Sequence, residues 1–189
     1  MEYRKILPIG LSLLILFIIG CKENKHSEAE RIVKKWIGKE IRMPEEVKPW
    51  YMGKDTLYSP ADQAPYKMLV YTDSVGCTSC KLNLILWKYY KEELDSIAPG
   101  KVDFAFYFQP KNEKELAHLF RRDRFEQVVY IDSVGALKKI NGLEDEMAYQ
   151  CFLLDKDNKV LAIGNPTVNP ELWEVYKKMI KEEKKKGGT

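Results

Sequence analysis

From Tyr66 to Lys181, the sequence alternates between short apolar runs and segments with helical spacing. Short apolar runs bounded by turn formers are typical of buried strands, and apolar residues at every third or fourth position are typical of amphipathic helices. The predicted strands are 67–72, 102–108, 128–131, 151–154 and 160–163. The predicted helices are 80–96, 112–123, 137–142 and 171–181.

This order of elements restricts the fold to a small set of architectures. Strands separated by helices are expected to run parallel, with right-handed crossovers. The last two strands are separated only by the turn Asp155–Lys159, which predicts an antiparallel hairpin. The sequence therefore predicts an α/β sandwich with a mixed central sheet and helices on both faces.

The residues ahead of this region predict an extension rather than a second domain. A helix is expected over 27–37, with Ser27 as its N-cap. Short strands are possible at Glu40–Met43 and Trp50–Met52, but residues 39–65 contain four prolines and too few apolar residues for a core of their own. We therefore divide the chain into an extension over 21–64, a domain over 65–181 and a disordered charged tail over 182–189.

The first twenty residues have the pattern of a signal peptide. A basic start with Arg4 and Lys5 precedes an apolar run, and Gly20 closes it before Cys21. The sequence IIGC over 18–21 resembles the lipobox of bacterial lipoproteins, which implies cleavage before Cys21 and a lipid on that cysteine. The alternative is an uncleaved anchor helix, and either interpretation attaches the chain to a membrane.

The motif Cys77-Thr-Ser-Cys80 lies where the first predicted strand of the domain is followed by its first helix. Unpaired N–H groups and the positive dipole end at a helix N-terminus stabilise a thiolate. A thiol with an ordinary pKa near ~8.5 can fall to roughly 3.5–7.5 in such a place. A cysteine three positions on can then resolve a mixed disulfide. The spacing favours a redox-active pair that needs no further cofactor.

Two other interpretations of the motif stay open. It could be half of a zinc site, with other ligands from His26, His118 or Cys151, although none of these shows paired ligand spacing. It could also be a purely structural disulfide. The strand–motif–helix context favours redox chemistry, and we predict no metal site.

Taken together, residues 65–181 resemble the thioredoxin superfamily. The lipobox and tether resemble its membrane-anchored branch, the TlpA- and ResA-type thiol–disulfide oxidoreductases. The segment 152–160 (FLLDKDNKV) is similar to that branch's FLID-x-DGKV hairpin. The resemblance implies a thioredoxin-like three-layer sandwich, with Cys77 as the nucleophile and Cys80 as the resolving cysteine.

The chain departs from the pattern of that family at three positions. Gly76 stands where the family usually has tryptophan, and Ser79 stands where it often has proline. Tyr149 aligns with the family's cis-proline, and we expect a trans bond there because a cis bond without proline costs several kcal/mol. The peroxiredoxin pattern fits less well, since Val70 and Ser74 occupy its proline and threonine positions.

Three residues outside the motif are candidate accessory groups: Cys151, Tyr149 and Asp73. We expect Cys151 to be a buried core thiol, because free cysteine is among the most buried residue types, with a third redox partner as the alternative. Asp73 could accept a proton, although an exposed loop carboxylate is the expected state.

Charge and cysteine usage define the expected setting. The chain has 31 basic and 28 acidic residues, and a nearly balanced count argues against a nucleic-acid-binding surface. We expect a monomer, anchored by lipid in a bacterial envelope facing the periplasm, in either the inner or the outer membrane. Its expected partners are exported protein thiols or disulfides and a membrane electron donor or acceptor. The alternative is a non-catalytic binding or assembly module with a structural disulfide between Cys77 and Cys80.

Overall fold

A computed structural model describes residues 27–57, 64–75 and 81–182. The predicted signal peptide, the lipid site at Cys21, the motif cysteines Cys77 and Cys80, and the tail from residue 183 lie outside the described residues. The chain divides into two units, residues 1–36 and residues 37–189. In the first unit, residues 27–36 form helix α1, close to the predicted bounds.

The second unit contains seven strands and four α-helices within the described ranges. The strands are β1 (Pro49–Tyr51), β2 (Lys54–Asp55), β3 (Tyr66–Thr72), β4 (Val102–Phe108), β5 (Val129–Ile131), β6 (Cys151–Asp155) and β7 (Val160–Ile163). The helices are α2 (Leu84–Ile97), α3 (Glu113–Asp123), α4 (Ala136–Asn141) and α5 (Glu171–Glu182). A single 3₁₀ turn, Met147–Tyr149, precedes β6.

The strands form one mixed sheet in the order β2-β1-β5-β4-β3-β6-β7. The three central strands β5, β4 and β3 are parallel, and β6, β7 and the β1–β2 pair are antiparallel to their neighbours. The predicted mixed α/β sandwich is therefore confirmed. Because β3, β4 and β5 run the same way, the segments that follow them leave from the same edge of the sheet.

One face of the sheet is dominated by aromatic side chains. Phe104, Phe106 and Phe108 alternate along β4 and are buried. Trp87 of α2 packs edge-on against Phe106 with ring centroids 6.0 Å apart, and Phe120 of α3 meets Phe108 at 5.9 Å. Aromatic pairs prefer such tilted arrangements because the ring edge is positive and the ring face negative.

Helix α5 is fixed to α2 on the same face. The rings of Tyr90 and Trp173 stack with centroids 4.1 Å apart. Glu93 accepts hydrogen bonds from Trp173 Nε1 at 2.6 Å and from Lys177 Nζ at 2.7 Å. Burial of large rings supplies most of the attraction, and the carboxylate sets the rotation of α5 about its axis.

The opposite face is built from the alternate residues of the same strands. Leu69, Tyr71 and Phe152 are almost fully buried, and their side chains point away from the aromatic face because successive strand residues alternate sides. Leu137 of α4 is fully buried. These two apolar layers on either side of one sheet give the three-layer arrangement.

Residues 38–55, which we call the strap, reach both outer strands of the sheet. Gly38 N donates to Val160 O at 2.8 Å, and Val160 N donates to Lys39 O at 2.9 Å, so the strap begins along β7. At its other end the strap forms β1, which pairs with β5, and β2. The strap thus supplies edge pairing on both sides of the sheet.

Asn141, at the end of α4, holds the middle of the strap. Its side-chain Oδ1 accepts from Arg42 N at 2.9 Å, and its Nδ2 donates to Arg42 O at 2.8 Å. Nδ2 also donates to Leu137 O at 2.9 Å. A buried side-chain amide that satisfies both backbone groups of one residue acts as a two-point clamp.

Two predicted elements differ from the structure. The predicted helix from Cys80 is interrupted at Asn83, which has a left-handed backbone with φ of 44°, so α2 begins only at Leu84. Asn83 Nδ2 donates to Thr167 Oγ1 at 3.1 Å, which holds the break in place. The predicted strand Glu40–Met43 reduces to one isolated bridge between Glu40 and Lys159, because the chain then turns onto Asn141.

Within the three described ranges, no helix is long and apolar enough to cross a membrane.

Candidate redox site

The candidate site lies at the carboxyl end of β3. Asp73 follows the last residue of β3, and Gln109 and Asp132 follow β4 and β5 at the same edge of the sheet. Cys77 and Cys80, predicted as the catalytic pair, fall outside the described residues. The residues that flank them, Val75 and Lys81, are described, and they define the frame of the site.

Asp73 binds both flanks of the motif. Its Oδ1 accepts from Val75 N at 3.0 Å and from Lys81 Nζ at 2.6 Å. Val75 and Lys81 lie on opposite sides of residues 76–80 in sequence, so one carboxylate oxygen ties together the entry and the exit of that segment. Charge-assisted hydrogen bonds of this length are among the strongest in proteins.

The prediction that Asp73 is an exposed loop carboxylate is wrong. Only 7% of the residue is exposed. The cause is the pairing with Lys81, because a carboxylate can be buried at small cost when it is neutralised and hydrogen-bonded. Sequence periodicity gives no indication of this pairing.

Burial opposes the ionisation of Asp73, but the hydrogen bonds to its charged form together have the larger effect on its pKa. Desolvation pushes the pKa of Asp73 up, while the bonds from Lys81, Gln150 and Val75 N push it down, and the net result is a pKa below the ordinary value. Asp73 is therefore an anion at neutral pH, paired with a cation that directly follows Cys80 in sequence.

Gln150 binds the other carboxylate oxygen. Gln150 is fully buried. Its Nε2 lies 3.1 Å from Asp73 Oδ2, 3.0 Å from Glu144 O and 3.2 Å from Asp145 O. All three neighbours are acceptors, so the amide is fixed with its nitrogen toward them. Its Oε1 is buried and has no hydrogen-bond partner among the described residues. An unpaired buried acceptor costs about 1–3 kcal/mol.

A second cation and two further titratable groups complete the surroundings of Asp73. Lys138 Nζ lies 3.8 Å from Asp73 Oδ2 and 2.6 Å from Asp145 Oδ1. Tyr71 donates its hydroxyl to Gln109 at 2.9 Å. Burial, followed by the charges of Asp132 and Asp73, raises the pKa of Tyr71 far above its ordinary value, so Tyr71 stays a neutral donor.

The expectation that Cys151 is a buried core thiol is confirmed. The residue is fully buried, and its sulfur lies 3.6 Å from the Met68 sulfur inside the aromatic layer. Burial raises the pKa of Cys151 well above its ordinary value, more than the hydrogen bonds from Phe152 N and Tyr176 lower it. A thiol that does not ionise is a poor nucleophile, which argues against a third redox partner.

Tyr149 lies in the 3₁₀ turn ahead of β6 and is half-buried. No cis peptide bond occurs in the described part of the chain, so the bond at Tyr149 is trans, as expected. Gln150, rather than Tyr149, is the residue that contacts Asp73.

Cys77, Cys80 and His26, which the zinc alternative would use as ligands, lie outside the described residues. His118, considered as a zinc ligand, is an exposed residue on α3. Over residues 27–57, 64–75 and 81–182, no group of three or more His, Cys, Asp and Glu side chains could hold a metal ion.

The sequence interpretation missed Lys81, Gln150 and Lys138 as members of the site. Gln150 is separated from Asp73 by 77 positions, and Lys138 comes from a helix after another strand. The one available signal was a polar residue directly before the apolar run of β6, which is a weak indication by itself.

Comparison with known proteins shows the fold. No protein-family model matches the sequence, and no curated protein matches it. The thioredoxin domain of a thiol-disulfide oxidoreductase from Bacteroides vulgatus matches at a TM-score of 0.54 with 11% identity, covering 76% of this chain and 97% of that one. The reduced 2-Cys peroxiredoxin of Plasmodium vivax matches at 0.55 with 12% identity, covering 79% and 99%.

A third similar structure is the bacterioferritin comigratory protein of Xanthomonas campestris, with a TM-score of 0.52, 11% identity and coverage of 75% and 98%. Identities this low show the fold alone. The chain therefore has a thioredoxin-like fold, as the resemblance implied.

Proposed function

We propose that this chain is a thiol–disulfide oxidoreductase that acts through Cys77 and Cys80 on exported protein thiols or disulfides. The observation that carries the proposal is the Asp73 carboxylate, which binds Val75 N and Lys81 Nζ and so fixes both flanks of the motif at the carboxyl end of β3. Ligand and active sites in α/β sheets lie at that edge.

The reaction balances as a two-electron exchange. The Cys77 thiolate attacks one sulfur of a client disulfide, forms a mixed disulfide and releases the other client sulfur as a thiolate, which takes up a proton. Cys80 then loses its proton, its thiolate attacks the Cys77 sulfur, and the second client sulfur leaves as a thiolate that takes up a proton. The client gains two electrons and the cysteine pair becomes a disulfide, and the reverse sequence oxidises a client dithiol.

The described residues supply charge for this reaction. Lys81 carries an ammonium next to Cys80 in sequence, and a nearby cation favours a thiolate over a thiol. Asp73 limits that effect because it neutralises part of the Lys81 charge. We propose in addition that the chain is attached to a bacterial envelope membrane through lipid on Cys21, and that a membrane-bound electron donor or acceptor restores the cysteine pair.

The decisive experiment is trapping of the mixed disulfide. A Cys80→Ser variant of the full chain, expressed in an envelope, should accumulate covalent adducts with other exported proteins that disappear on reduction. Cys77→Ser should form none, and Cys151→Ala should behave as the native chain. Absence of adducts, together with a Cys77 that does not react with alkylating agents in the reduced protein, would refute an oxidoreductase.

The competing function is a non-catalytic binding module with a structural disulfide. The observation that favours it is the trans backbone at Tyr149, where the resembled family has a cis-proline beside its sulfurs. The reduction potential of the Cys77–Cys80 pair separates the two functions, since structural disulfides lie below roughly −300 mV and catalytic ones are more oxidising.

A further inference from the structure

Asp73 presents its two oxygens to different partners. Oδ1 binds the flanks of the motif, Val75 N and Lys81 Nζ, while Oδ2 lies 3.1 Å from Gln150 Nε2. A cation, Lys138 Nζ, lies 3.8 Å from Oδ2. Among the described residues, the amide of Gln150 is therefore the nearer donor to Oδ2.

Gln150 uses its side chain as a hydrogen-bond donor. Its Oε1 is unpaired among the described residues, whereas its Nε2 has acceptors within hydrogen-bond distance. An apolar residue of the same length, such as methionine, would fill this buried position without leaving an acceptor unpaired. Glutamine leaves Oε1 without a partner among the described residues, yet Nε2 meets three acceptors. A polar group is tolerated at such a cost where its donor makes buried hydrogen bonds.

We propose that Gln150 is a positioning residue of the redox site, and that its amide holds the Asp73 carboxylate in the orientation that binds Val75 and Lys81. This inference rests on the proposed function of Cys77 and Cys80. The polar side chain stands next to Tyr149, the position that the resemblance aligns with a proline. Here a side-chain hydrogen bond, rather than proline, connects the residue before β6 to Asp73, which binds Val75 and Lys81 on the two flanks of the motif.

The charged and titratable groups around Asp73 make the proposal measurable. Lys81 and Lys138 face the carboxylate as cations, Asp145 pairs with Lys138, and Tyr71 lies within electrostatic range. With Gln150 in place, Asp73 ionises below its ordinary range. Replacing the amide by a carboxyl puts two acids in contact, and two carboxyls that share a site retain one proton to much higher pH.

The test is a carboxyl ¹³C NMR titration of the full chain labelled at aspartate, with the Asp73 signal assigned by its loss in Asp73→Asn. In Gln150→Glu the Asp73 signal should report a second titration step closer to neutral pH, because the Asp73–Glu pair shares one proton. Reduced Gln150→Glu should also gain a second inflection in the pH profile of cysteine alkylation, and adding Asp73→Asn should abolish it. Gln127→Glu, at the amino end of β5, should change neither.

Gln150→Met provides the test if Gln150→Glu does not fold, because it removes the amide without adding charge. It should raise the Asp73 midpoint by a smaller amount. An Asp73 midpoint that stays at its native value in the folded variant would overturn the proposal, even if the native protein is fully active. A native protein whose cysteines neither alkylate nor exchange would instead refute the proposed function, whatever Asp73 does.

Discussion

At the scale of single residues, Asp73 couples stability to pH. Its folded-state pKa lies below its ordinary value, which is about 3.9 in an unfolded chain. The ionised carboxylate therefore stabilises the fold above that unfolded-chain value, and the contribution is lost as the pH falls through the folded-state pKa.

Asp73→Asn should lower the free energy of unfolding at pH 7 by roughly 1–3 kcal/mol, because Lys81 loses its anion and the buried Oδ2 site loses its charge. The difference in the free energy of unfolding between native and variant protein should shrink as the pH falls below the unfolded-chain pKa of Asp73. Urea denaturation at several pH values measures this. A gap of constant size at all pH values would contradict an ionised Asp73.

Cys151 is the second residue whose environment predicts a clear result. Cys151→Ala should cost about 1 kcal/mol of stability through a small cavity, and it should leave the alkylation rate and reduction potential of the remaining cysteines unchanged, since the thiol is buried. Denaturation and redox titration of the same preparation check both. A shifted potential would place Cys151 in the redox chemistry after all.

At the scale of elements, the break at Asn83 separates the residues after the motif from α2. L-residues other than asparagine and aspartate rarely adopt a left-handed backbone, which costs roughly 1–2 kcal/mol. Asn83→Ala should therefore destabilise the protein by about that amount, and Asn83→Gly should cost less because glycine adopts this φ freely. Equal losses in the two variants would show that the bond to Thr167, and not the backbone, is decisive.

The sequence predicts regular strands and helices well, but it predicts irregular features, such as a break within a helix, poorly. β4 and the β6–β7 hairpin match their predicted bounds to within a residue, because a buried strand leaves a run of apolar residues that can be read locally. The break at Asn83 was missed because Leu82 and Leu86 keep a helical spacing across it.

The site was predictable only in its sequence-local part. The motif, its place after β3 and the nearby Asp73 are visible in the sequence. The contact of Asp73 with Gln150 joins residues 77 positions apart, which only the fold brings together, and no periodicity reports such a contact. The β1–β2 pair was likewise only half predicted, since two-residue strands carry almost no pattern.

At the scale of the whole molecule, one side chain, Asn141, holds the middle of the strap. Asn141→Leu should cost about 2–3 kcal/mol, because Arg42 N and O both lose a buried partner. Hydrogen exchange of the amides in 38–42 should accelerate while β3 and β4 stay protected. Lys39→Met, which removes the bond from Lys39 Nζ to Asn141 O and keeps the Asn141 side chain, is the matched control and should change exchange little.

The strap also determines how this sheet can meet other chains. An edge strand with unpaired backbone groups is a template on which strands of other chains can assemble. Proteins avoid this by keeping their edge strands short, charged or paired. Here the start of β7 is paired with residues 38–41. The edge strand on the other side of the sheet is β2, Lys54–Asp55, which consists of two exposed charged residues. A second chain thus has little opportunity to lengthen the sheet at these positions, and for the proposed oxidoreductase we expect a client to be captured through its sulfur atoms rather than along its backbone.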